Sequence, residues 1–166
     1  MNFKRTLCTL ALTLGIATFS SPANAESYFG IHLESIVIIP VFGVQLGYDF
    51  DDDGSGRFGL RGMVESLLGL LNRGALDATY RFNGNADGSA AYAGAGAGVL
   101  FTTGITGTGS SVAFAPEIHG LIGYEFMLPG QSGIFIEGQF GVLINTYSSS
   151  SLAPFGTFAA GFNLHF

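Results

Sequence analysis

Lysine is absent from this 166-residue chain after Lys4, tryptophan is absent altogether, and the only cysteine is Cys8. Beyond residue 25, therefore, no disulfide can form and no cysteine-based metal site exists. The basic side chains left there are Arg57, Arg61, Arg73 and Arg81. Set against twelve acids, these four give residues 26–166 a formal charge of −8. Nucleic acid is excluded as a partner, because its binding depends on lysine and arginine contacts to phosphate. A soluble surface is also hard to build, since it normally carries interspersed charges of both signs. Past residue 25 no apolar run approaches the roughly 20 residues of a membrane-spanning helix, although 48% of the chain is hydrophobic and 26 residues are glycine. A hydrophobic chain without a spanning helix leaves the closed β-barrel as the way to cross a bilayer.

What is present begins with a leader. Lys4 and Arg5 precede an apolar run from Thr6 to Phe19, and Ala23-Asn24-Ala25 has the small-x-small form of a cleavage site. Residues 1–25 read as a cleaved secretory signal peptide and residues 26–166 as one barrel domain. Cys8 sits inside the apolar run, too early to be a lipoprotein cleavage site.

The remainder alternates with period two, the pattern of strands with unlike faces. In the last segment Gly156, Phe158, Ala160, Phe162, Leu164 and Phe166 share one face, while Thr157, Asn163 and His165 lie on the other. Further strands read at 27–35, 41–50, 57–65, 73–82 and 90–101, then one ending near Phe126 and one ending at Asn145. A transmembrane strand needs about 9–11 tilted residues, so eight consume most of the domain. The expected fold is all-β, an eight-stranded antiparallel up-and-down transmembrane β-barrel. Thr102–Ser111 reads as a Thr/Gly loop, and Pro116 marks either a bulge or the true start of the sixth strand. In the alternating Ala93–Gly98 segment alanine is placed outward and glycine inward.

The closing segment resembles the C-terminal strand of bacterial outer-membrane barrels, which ends in Phe after alternating apolar residues. In those families the strand is read by the barrel-assembly machinery, which gives Phe158, Phe162, Leu164 and Phe166 the role of an assembly signal. Taken whole, residues 26–166 resemble the small OmpA-like, OmpX-like and opacity-type barrels. The resemblance implies an outer-membrane location, contact with outer-membrane lipid and a monomer, and the even count of strands puts both termini on the same side, the periplasm. It brings no active-site signature.

An apolar exterior leaves the polar face for the lumen. The glycine-rich, lysine-free polar face suits a narrow barrel interior, and aromatics gather where strand ends would meet the membrane interface. The lumen charge network is expected to comprise Glu34, Asp49, Arg57, Arg61, Glu65, Asp77, Arg81, Glu117, His119, Glu125 and Glu137. A symmetric turn would set Asp49 opposite Arg57 and Gln45 opposite Arg61. The next hairpin would set Glu65 opposite Arg73 and Arg61 opposite Asp77. The network reads first as a structural plug and second as a narrow cation path.

No cofactor and no metal are expected. Asp49, Asp51 and Asp53 open like a calcium loop, but its twelfth position holds Leu60 rather than Glu. An enzyme is not expected either. The small barrels that deacylate lipid A carry a strand His followed two residues on by Ser, whereas His32 is followed by Glu34 and His119 by Leu121.

Overall fold

Eight alternating segments, each apolar on one face, can hide the edges of their sheet only by closing it. The computed structural model describes residues 26–36, 39–50, 56–68, 70–82, 84–106, 109–145 and 151–166. The strands are β1 (Glu26–Ile36), β2 (Ile39–Phe50), β3 (Gly56–Leu67), β4 (Leu71–Phe82), β5 (Ala90–Thr106), β6 (Gly109–Leu128), β7 (Ser132–Asn145) and β8 (Ser151–His165). Each pairs antiparallel with the next, and β8 returns to β1. Pairing followed from Glu26 through Asp49, Gly59, Thr79, Gly94, Leu121, Gln139 and Thr157 rejoins β1 at Ile36, ten residues along. A stagger of that size tilts the strands of an eight-stranded barrel by about 40°. The fold is an eight-stranded up-and-down transmembrane β-barrel.

The two faces divide as alternation requires. Ile31, Phe42, Val44, Leu46, Leu60, Val64, Leu76, Ile118, Ile122, Phe140 and Phe158 point outward and are exposed. Ala95 and Ala97 also face out, while Gly96 lies against Asp77 and His119 in the interior. At the end carrying the chain termini, aromatic rings pair on the outer surface: Tyr48 with Phe50 at 4.9 Å, Phe50 with Phe58 at 6.1 Å, Tyr80 with Phe82 at 5.3 Å and Tyr124 with Phe126 at 4.6 Å. Phe166 completes the closure by exchanging two backbone hydrogen bonds with Ser27, at 2.9 and 3.2 Å.

Three expectations from the sequence need correction. Between β2 and β3 the register is shifted by two residues, so Asp49 faces Gly59 and Gln45 faces Met63, not Arg57 and Arg61. The shift brings Phe50 opposite Phe58, where the rings stack, and an even shift keeps every side chain on its expected face. Within the expected loop Thr102–Ser111, residues 102–106 and 109–111 are strand, with β5 and β6 paired up to Thr106↔Gly109, and residues 107–108 lie outside the described residues.

Pro116 is neither a bulge nor a strand start but an interior residue of β6. Pairing with β7 begins one residue later, at Glu117↔Leu143, so Pro116 has a neighbour on the β5 side only. Pro40 and Pro154 obey the same rule. Pro40 pairs with Ser35, while the β2–β3 ladder starts at Phe42; Pro154 pairs with Val142, while the β8–β1 ladder stops at Thr157. A residue without N–H is tolerated where one flank of its strand is free.

Candidate functional site: a charged, filled lumen

Side chains directed into a barrel this narrow must fill it and satisfy one another, because an unpaired buried charge costs several kcal/mol. Glycine makes the room. A Cβ on Gly96 would stand 2.0 Å from Asp77 Oδ1, and one on Gly47 would stand 2.0 Å from the Tyr28 ring. Large polar groups therefore lie across the backbone of facing strands.

The network is organised around arginines at three depths. Near the end opposite the termini, Arg73 Nη1 donates to Glu34 Oε1 at 3.0 Å and to Glu65 Oε2 at 3.2 Å. Its Nε donates to Glu117 at 2.6 Å and its Nη2 to Gln139 at 2.6 Å. The Phe155 ring lies 6.0 Å from the same guanidinium. His32 Nε2 is 2.7 Å from Glu65 Oε1.

In the middle, Arg61 makes a two-pronged contact with Asp77 (2.9 and 2.7 Å) and another with Glu137 (2.7 and 2.9 Å). His119 Nε2 meets Asp77 at 2.9 Å. Near the termini, Arg81 donates to Glu125 and lies 3.3 Å from Asp49. His165 Nε2 meets Glu125 at 3.0 Å, and its Nδ1 is 3.0 Å from Glu26, at ion-pair distance. Arg57 is different. Its side chain is 41% exposed at the mouth, where it pairs with Glu26.

Amides tie the depths together. Gln139 bridges Arg73 and Glu137, while Gln45 accepts from Arg61 at 3.4 Å and donates to Asn163, which donates on to Glu125. A hydrogen-bonded chain of side chains thus runs the length of the lumen. Between the middle and lower groups the enclosed space is about 10 Å³, room for roughly one water.

Of the lumen residues named from the sequence, Glu34, Asp49, Arg61, Glu65, Asp77, Glu117, His119, Glu125 and Glu137 are buried, Arg81 is nearly so, and Arg57 lies at the exposed mouth. Glu65 stands opposite Arg73 and Arg61 opposite Asp77, as the pattern indicated. Asp49 turns into the lumen toward Arg81, while Asp51, Asp53, residues 1–25 and residues 146–150 lie outside the described residues. Sequence reasoning passed over Tyr28 and Tyr92, both buried in the lumen. Their signal was parity: Tyr28 is in step with Gly30 and His32, and Tyr92 with Gly94 and Gly96. Apolar Met63, Leu121 and Phe135 also point inward, and Phe135 packs edge-on against His32 with ring centres 6.2 Å apart.

No protein-family model matches the chain, and no curated protein matches it. Solved structures do. The N-terminal β-barrel domain of Pseudomonas aeruginosa OprF superposes with a TM-score of 0.61 at 16% identity, covering 85% of this chain and 97% of that one. Neisserial surface protein A gives 0.56 at 12% identity, over 86% and 96% of the two chains. The attachment invasion locus protein Ail of Yersinia pestis gives 0.56 at 14% identity, over 86% and 97%. At these identities the likeness is one of fold: the chain is built like the small eight-stranded outer-membrane barrels.

Proposed function

We propose that the protein is an integral outer-membrane barrel that seals rather than perforates the membrane, with a structural or surface-interaction role and no catalytic activity. The observation that carries this reading is the filled lumen. Arg61, Arg73 and Arg81 span it with their carboxylates, and the void beside Arg61 is about 10 Å³. An exterior of exposed aliphatic and aromatic side chains supports burial in lipid, and the fold likeness supports the outer membrane as its location.

A surface role is supported by the shape of one rim. The β5–β6 hairpin stays paired to Thr106↔Gly109, whereas β4 leaves it at Thr102 and β7 at Glu117. With both termini in the periplasm, that hairpin stands proud of the outer face. Absence of catalysis is supported by the histidines: His32, His119 and His165 are all buried in the lumen against carboxylates, away from any lipid substrate.

A second reading, a narrow cation path, is favoured by charge. Glu26, Glu34, Asp49, Glu65, Asp77, Glu117, Glu125 and Glu137 face four arginines. Planar-bilayer recording separates the two: the sealed barrel gives no reproducible channel events, and regular cation-selective steps would replace the first reading with the second. Recovery in the outer-membrane fraction, with heat-modifiable gel mobility, is expected; a soluble product would overturn the location. Lipid A mass spectra from cells with and without the protein are expected to coincide, and an altered acyl pattern would establish an enzyme.

A further inference from the structure

We infer that the lumen end farthest from the termini holds one divalent transition-metal cation of the zinc class, bound by His32, Glu34 and Glu65. Each of these three buried residues offers a ligand atom, and the three atoms lie within 4.8 Å of one another. Arg73 does not block them. Its Nη1 takes Oε1 of Glu34 and Oε2 of Glu65, leaving Glu34 Oε2 without a hydrogen bond and Glu65 Oε1 to His32 Nε2. Glu34 Oε2 is buried with no hydrogen-bond partner. A carboxylate oxygen buried without a donor, beside two further candidate ligands, is a condition that a bound cation would relieve.

Charge points the same way. Arg73 is in contact with three carboxylates, Glu34, Glu65 and Glu117, whereas Arg61 contacts Asp77 and Glu137, and Arg81 contacts Asp49 and Glu125. Among the three arginine groups this one has the most carboxylates per arginine, an imbalance that a bound cation would reduce. The donor set selects the metal. Calcium and magnesium take oxygen ligands, while one imidazole with two carboxylates suits zinc, with a fourth position open to water. Arg73 would orient both carboxylates as an outer-shell partner, and the ion would replace the 2.7 Å His32–Glu65 hydrogen bond.

The test is zinc content per folded barrel. Residues 26–166 are refolded in detergent with excess zinc, passed through gel filtration and analysed by plasma mass spectrometry, with folded protein counted by its heat-modifiable band. Wild type is expected to keep about one zinc at its three-donor site. His32→Gln and Glu34→Gln are expected to keep none, and His165→Gln, altered near the opposite end, is expected to keep the wild-type amount. Folded wild type without zinc, or His32→Gln with a full complement, overturns the site. Should the variants fail to fold, zinc-edge X-ray absorption on wild type decides: an imidazole and oxygens at about 2.0 Å are expected, and a shell without imidazole contradicts the assignment.

Discussion

Leu76 and Asp77 are consecutive on β4 and occupy opposite solvents. Leu76 is 74% exposed on the outer surface, while Asp77 is 2% exposed and held by Arg61 and His119. The outer face asks only that a side chain be apolar: Gly138 has nothing within 4 Å of where its Cβ would be, and neighbours on that face range from glycine to phenylalanine. The inner face asks for particular partners at particular distances. One face is specified by solvent and the other by neighbours, so substitutions on the two should fail for different reasons.

The largest effect is expected inside. Arg73→Ala strands Glu34, Glu65 and Glu117 in the lumen, and unfolding by urea in lipid vesicles should show a loss of about 3–5 kcal/mol. A loss below about 1 kcal/mol, the level of a surface pair, would break the contrast. Next comes Leu76→Arg, which places charge in hydrocarbon at the middle of β4; about 2–4 kcal/mol is expected in the same assay.

A matched glycine pair sharpens the comparison. Gly96→Leu drives a side chain into Asp77 and His119 and should cost about 1–3 kcal/mol, whereas Gly138→Leu should stay within about 0.5 kcal/mol. Equal costs would mean that lumen packing is not specific. The smallest effect belongs to Arg57→Ala at the exposed mouth, where losing the pair with Glu26 should change stability by about 0–1 kcal/mol.

Those differences also explain what could be read from the chain. Facing was legible because lipid imposes a strict apolar alternation, and a two-residue slip between β2 and β3 leaves facing intact. The Glu65–Arg73 and Arg61–Asp77 pairs were legible because β3 and β4 are joined by a short connection at Leu67↔Leu71. Asp49 was assigned the wrong opposite residue because nothing in the alternation measures how far a turn reaches. Arg61–Glu137 spans 76 residues and crosses the lumen, so it depends on the closure and curvature of the whole wall rather than on local pattern. Residues 102–106 and 109–111 of the β5–β6 hairpin were read as loop because their Thr/Gly-rich sequence carries no apolar period. The His32–Glu34–Glu65 group was half legible: His32 and Glu34 share a face of β1, but Glu65 reaches them only through the β1–β2–β3 register.

The absence of cysteine after Cys8 offers the most direct test that the lumen is filled. In residues 26–166, which lack Cys8, Thr79→Cys places a single thiol beside the small void next to Arg61, and a second protein with Gly138→Cys serves as a folded control on the outer face. Both are refolded into vesicles and challenged with a charged, membrane-impermeant methanethiosulfonate reagent, with labelling followed by mass spectrometry before and after unfolding. The sealed lumen requires that Thr79→Cys stay unlabelled while folded and react fully once unfolded. Rapid labelling of Thr79→Cys in the folded barrel would show a water path through the lumen and contradict the account.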